Sequence, residues 1–101
     1  MSDALMPPYM VQLAVNGARF WIAGASDQLG RFNPASIAGA TARFLLVVDD
    51  PRSVTDTAVA AGGKLMSQPT EGHCWLVGRV VDRFGHEWEI GRPLGAWPPA
   101  T

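Results

Sequence analysis

Met10-Val-Gln-Leu-Ala-Val-Asn16-Gly17-Ala-Arg-Phe-Trp-Ile-Ala-Gly24 carries the clearest local signal in the chain. Two apolar, β-prone runs flank Asn16-Gly17, and Asn-Gly supplies the two positive φ angles that a two-residue hairpin turn demands. So short a turn also fixes the register. Val15 then faces Ala18, Leu13 faces Phe20 and Val11 faces Ile22 on one side of the ribbon, while Gln12, Arg19 and Trp21 lie on the other. The first side is expected to be a core face, and the second an amphipathic face with a large aromatic on it.

Working outward, Met1 to Tyr9 contains Pro7-Pro8 and reads as an extended lead-in. Ser26 to Thr41 is rich in Gly, Ser, Asn, Asp and Pro and reads as a long loop, of the kind more often functional or mobile than idle. Arg43 to Val48 is a continuous apolar run, expected as a strand buried on both faces. Asp50 is placed as a helix N-cap with Pro51 at the first helical position. Val54, Ala58 and Ala61 recur at helical spacing, and Gly62-Gly63 supplies the stop. Lys64 to Gln68 reads as a short strand, Pro69 to Gly72 as a turn and His73 to Asp82 as a long strand. Arg83 to Gly85 turns the chain, His86 to Arg92 is the last strand, and Pro93 to Thr101 is a loose or docked Pro-rich tail. The order is hairpin, loop, then β-α-β-β-β. It predicts an α+β domain with a mostly antiparallel sheet.

A chain of 101 residues, 48% of them hydrophobic, suits one core and one domain. Eight Lys plus Arg against nine Asp plus Glu leave a net charge of -1, so no nucleic-acid partner is expected. The lone Cys74 excludes an intramolecular disulfide and any CxxC motif. No apolar stretch approaches a membrane span, and the N-terminus lacks a basic region followed by a long apolar run. A soluble cytoplasmic protein with no membrane partner is expected. GxxxxGK[ST], GxGxxG and HExxH are absent, and no GxS stretch sits at a strand-to-helix turn.

The two hairpins echo each other. Gly17-Ala-Arg-Phe-Trp-Ile-Ala can be laid over Gly85-His-Glu-Trp-Glu-Ile-Gly, so that Phe20 and Ile22 match Trp88 and Ile90. The interleaved pairs, Arg19 with Trp21 and Glu87 with Glu89, fall on the face opposite the core. As a structural repeat, the two hairpins would present these residues to a shared concave surface.

Asp82-Arg-Phe-Gly-His-Glu-Trp-Glu-Ile90 resembles the Asp-Pro-x-Gly-(Asn/His)-x-x-Glu-Leu signature that closes a module of the vicinal oxygen chelate superfamily. That superfamily holds glyoxalase, fosfomycin- and bleomycin-resistance proteins and extradiol dioxygenases. Three further stretches resemble its PhnB-like, bleomycin-resistance-type branch, in the right order. They are Gln12-Leu-Ala-Val-Asn-Gly, Val47-Val-Asp-Asp-Pro with the Ala-rich helix behind it, and Trp75-Leu-Val-Gly-Arg-Val-Val-Asp. The resemblance implies paired βαβββ modules whose sheets curl into a cup, with a ligand or divalent metal inside and often at a dimer interface. Residues 43–92 would be one complete module. Residues 10–24 would be the last hairpin of a leading module whose first strand and helix are absent: a homodimer partner could complete the sheet, a truncated module could suffice, or the natural chain could start earlier.

Metal-dependent members of the superfamily draw His or Gln from an early strand and Glu from the last. Glu89 matches that Glu, but Trp21 takes the equivalent place in the other hairpin, and Phe44-Leu-Leu-Val-Val contains no His. One carboxylate does not make a tight metal site. The expectation is therefore a metal-free small-molecule-binding protein. Trp21 and Trp75 would wall an aromatic-lined cup, and Gln12, Arg19, Arg79 and Glu89 would anchor a partly aromatic or cationic ligand. The alternative is a divalent-metal-dependent lyase, isomerase or dioxygenase, in which Glu89 binds Zn, Ni, Mn or Fe. Plainer roles compete. Glu89 could simply pair with an Arg, Arg79 could pair with Glu87 or Glu89, and the two Trp could fill a dimer interface. Trp88 is expected in the core and His86 on its side as a hydrogen-bonded structural residue. His73 is expected at a strand start on the cup rim, and Trp97, set among prolines, could pack anywhere.

Overall fold

The computed structural model describes residues 10–15 and 17–96. The lead-in before Met10, Asn16 and the tail from Trp97 onward lie outside the described residues. The chain divides into two compact units, Met1–Asn33 and Pro34–Thr101.

In the first unit, β1 (Met10–Val15) and β2 (Ala18–Ala23) pair antiparallel. The register is the one the turn dictates: Val15 opposite Ala18, Leu13 opposite Phe20, Gln12 opposite Trp21 and Val11 opposite Ile22. The expected core face is not realised, because Val11, Leu13 and Ile22 are exposed while Val15 and Phe20 are half-buried. Among the described residues of this unit, a two-stranded ribbon has no second sheet layer of its own to bury a face against. The long loop is partly ordered. Ser26 bridges to Arg31 around a 3₁₀ turn at Asp27–Leu29, and a second 3₁₀ turn, Pro34–Ile37, opens the next unit.

The second unit runs β3 (Arg43–Val47), α1 (Pro51–Ala60), β4 (Lys64–Gly72), β5 (Trp75–Val81) and β6 (Glu87–Pro93). The strands stand in the order β3-β6-β5-β4. β3 is parallel to β6, and the other neighbours are antiparallel. The described residues thus form an α+β fold of mostly antiparallel strands in two sheets with one α-helix. No helix among them is long and apolar enough to cross a membrane.

The helix begins where Asp50 accepts a hydrogen bond from the Ser53 amide at 3.2 Å, a cap worth ~1 kcal/mol. Pro51 follows at the first position, where its missing N–H costs nothing. At the far end Gly62, at φ +112, and Gly63 return their amides to Val59 and Ala58, closing the last turn. The helix packs against β4, β5 and β6. Val54 and Ala58 meet a core of Val48, Val80 and Ile90, with Leu46 and Trp88 around it. Strand alternation then turns residues 43, 45 and 47, 75 to 81 at odd positions, and 87 and 89 to the opposite face.

Two expectations are corrected. The Arg43–Val48 strand is not buried on both faces: β3 ends the sheet, and Phe44, Leu45 and Val47 are exposed. The turn expected at Pro69–Gly72 is strand instead. β4 continues through Pro69 to Gly72 with irregular register around Ser67 and Thr70, and His73-Cys74 makes the turn. Pro69 fits because β4 is also an end strand, where a missing amide is tolerated. Its ring packs onto Gly78 of β5, where a Cβ would come within 3.0 Å of Pro69 Cγ. The strands expected from His73 and His86 accordingly begin at Trp75 and Glu87.

Candidate functional site

The face of the second sheet turned away from α1 carries the concentration of chemistry. β5 contributes Trp75, Val77 and Arg79 at alternate positions, and β6 contributes Glu87, Glu89 and Gly91 beside them. Pairing sets Arg79 directly opposite Glu89 and Val77 opposite Gly91. On the other flank, β3 sets Arg43 opposite Glu87 and Leu45 opposite Glu89.

The charged groups pair diagonally. Arg79 Nη2 lies 3.7 Å from Glu87 Oε1, and Arg43 Nη1 lies 3.7 Å from Glu89 Oε2. These separations exceed those of a charge-assisted hydrogen bond, and the side chains are 30–53% exposed. Each pair therefore contributes no more than ~1 kcal/mol and opens cheaply. The plainer reading of Arg79, pairing with Glu87, is realised, and so is the pairing of Glu89 with an Arg.

Gly91 explains how Trp75 sits. A Cβ on Gly91 would lie 3.3 Å from Trp75 Cε3 and 3.2 Å from Val77 Cγ2. The missing side chain lets the indole edge and Val77 close over the β6 backbone. This makes a flat apolar floor one strand pair away from Arg79 and Glu89. Sequence reasoning named Trp75, Arg79 and Glu89 but missed Gly91 and Arg43. Arg43 could have been found by alternation, since it shares parity with Leu45 and Val47. Gly91 could not, because its role depends on a cross-strand neighbour.

Gln12, Arg19 and Trp21 belong to the first unit, where Trp21 is 59% exposed and lies opposite Gln12. Two shallow depressions mark the second unit. One of about 300 Å³ is lined by Ala40 to Arg43 and Glu87, and one of about 410 Å³ by Glu71, Gly72, Cys74, Leu94 and Gly95. His73 and Cys74 sit at the β4–β5 turn with φ of +52 and +66.

The Asp82-to-Ile90 signature divides between architecture and site. Asp82 Oδ1 accepts from the amides of Phe84 at 2.9 Å and His86 at 3.0 Å, and Oδ2 accepts from Trp88 Nε1 at 3.1 Å. His86 Nδ1 stands 3.5 Å from the same Oδ2, and the His86 ring lies 6.2 Å from that of Phe44. His86 is thus on the helix side with Trp88, in a structural setting, while Glu89 points to the opposite face. Among the described residues no group of three or more His, Cys, Asp or Glu side chains could hold a metal ion. Glu89 pairs with the Arg43 guanidinium.

Comparison with family models, with curated proteins and with solved structures returns no match.

Proposed function

We propose that this chain is a small-molecule-binding protein of the vicinal oxygen chelate type. It works without a metal and holds its ligand on the face of the second sheet away from α1. The observation that carries the reading is the seating of Trp75 and Val77 over Gly91, on the same face as Arg79, Glu89, Arg43 and Glu87. An apolar surface beside charged groups offers a flat ligand a face on which to stack and polar groups to hold it. The β-α-β-β-β succession of residues 43–93 and the Asp82-to-Ile90 signature support the superfamily resemblance. A homodimer belongs to the same proposal, supported by the exposed Leu45 and Val47 of the end strand β3.

The reading is tested by screening small aromatic and cationic molecules by amide NMR. Binding should shift resonances of β5 and β6, and Trp75→Ala or Arg79→Ala should weaken it by about tenfold or more. Shifts confined to other parts of the chain, or none at all, overturn the proposed site. Metal analysis of the purified protein examines the other reading. Stoichiometric Zn, Ni, Mn or Fe that disappears in Glu89→Gln would replace a binding protein with a metal-dependent enzyme.

A further inference from the structure

We propose that this chain pairs with a second copy of itself through β3, in an antiparallel register centred on Leu46 that sets Arg43 of each copy against Asp49 of the other. The inference rests on the homodimer of the reading above and names the strand, the register and the charges that join the copies.

Backbone direction limits the possibilities. The Val48 amide donates to the Gly91 carbonyl of β6 at 2.9 Å, so Phe44, Leu46 and Val48 turn their main-chain groups toward β6. Arg43, Leu45 and Val47 turn theirs to the open border, where no described strand pairs with them. A two-fold axis normal to the sheet makes identical end strands meet antiparallel. Main-chain bonds then form only where odd residues stand opposite odd residues. Centring on Leu46 sets Leu45 opposite the partner's Val47 at both ends of the axis. The two Leu46 side chains meet on the axis, and Phe44 falls opposite the partner's Val48. Phe44, Leu45 and Val47 are all exposed in the single chain, so this contact buries apolar surface on both faces of the strand.

Charge selects among the registers. Arg43 and Asp49 are the only charged residues from 43 to 49, and both are exposed. Centring on Phe44 sets Arg43 opposite Leu45, and centring on Leu45 sets it opposite Val47. Centring on Val47 sets it opposite Pro51, the first residue of α1. Only the Leu46 register puts opposite charges face to face, and symmetry doubles the contact. Among the described residues Asp49 makes no ion pair. Arg43 reaches Glu89 through Nη1 alone, and a guanidinium carries five donors, so it can serve the partner's Asp49 as well. Glu87 and Glu89 lie on β6, one strand further in, so Arg43 stands between them and the incoming carboxylate. Opposed residues of a pair point to the same side, so the candidate-site faces of the two copies share one side of a continuous sheet. The partner's Asp49 thereby joins the margin of that site.

The test is charge reversal in the full chain, read by sedimentation equilibrium, with thermal melting confirming that each variant folds. Arg43→Glu and Asp49→Arg are each expected to weaken self-association by about tenfold or more, since each turns both contacts into like-charge pairs. Mixing the two variants in equal amounts is expected to restore the wild-type affinity, because the mixed dimer again opposes unlike charges at both ends. Loss of the Arg43–Glu89 pair within one chain is not repaired by mixing, so restoration reports the contact between copies. A dimer that neither reversal weakens, or weakened variants that stay apart when mixed, overturns the register while the homodimer stands. A wild-type chain that stays monomeric at micromolar concentration overturns both and leaves the border to a strand of a different protein.

Discussion

Asp82 supplies, in one carboxylate, most of what the turn between β5 and β6 needs. Its two oxygens accept from two backbone amides and one indole N–H, each of which would otherwise compete for water or go unpaired. Asp82→Ala is therefore expected to cost about 2 kcal/mol in chemical denaturation, because it strips several donors of their acceptor at once. Asp82→Asn should cost less, since an amide oxygen can still serve Phe84 and His86. A loss below about 0.5 kcal/mol for the alanine variant would mean that the turn holds its shape without the carboxylate. Side-chain alternation revealed Trp75, Arg79 and Glu89 in advance, since position along a strand decides the face. Glu87 was visible as a partner for Arg79, but the partner of Glu89 was not. Arg43 is 46 residues from Glu89 in the chain, and only the parallel pairing of β3 with β6 brings them together.

At the scale of elements, local chemistry was readable wherever one residue type forces one geometry. Asn16-Gly17 fixed the register of β1 and β2, and Asp50-Pro51 with Gly62-Gly63 bounded α1 within a residue or so. The β4–β5 hairpin escaped because its turn residues, His73 and Cys74, lack the usual glycine signal yet both adopt positive φ. Pro69 misdirected the reading further, since proline in mid-sequence ordinarily marks a turn and here marks an end strand. Holding L-residues left-handed costs roughly 1–2 kcal/mol apiece. The double substitution His73→Asn with Cys74→Gly installs the favoured turn dipeptide and is expected to stabilise the protein by about 1 kcal/mol. An unchanged or lower denaturation midpoint would argue against this turn geometry.

For the whole molecule, burial was the least readable property. Phe44-Leu-Leu-Val-Val has the composition of a central strand, but strand order is a non-local outcome and places it at the end of its sheet. Leu45 and Val47 are left 48% and 46% exposed on the face that carries the candidate site. Sedimentation should show a dimer at micromolar concentration, and Leu45→Lys with Val47→Lys should shift it to monomer. A compact wild-type monomer would remove the dimer from the proposed function.

The two borders of the four-stranded sheet are unlike. Along β4, Pro69 offers no backbone donor and the pairing slips on either side of Ser67. Along β3 nothing comparable interrupts the backbone from Arg43 to Val47. Main-chain recruitment of a neighbouring molecule by this sheet is thus favoured at the β3 border over the β4 border. Two copies that met through their β3 borders would leave, in this sheet, only the interrupted β4 border for further pairing.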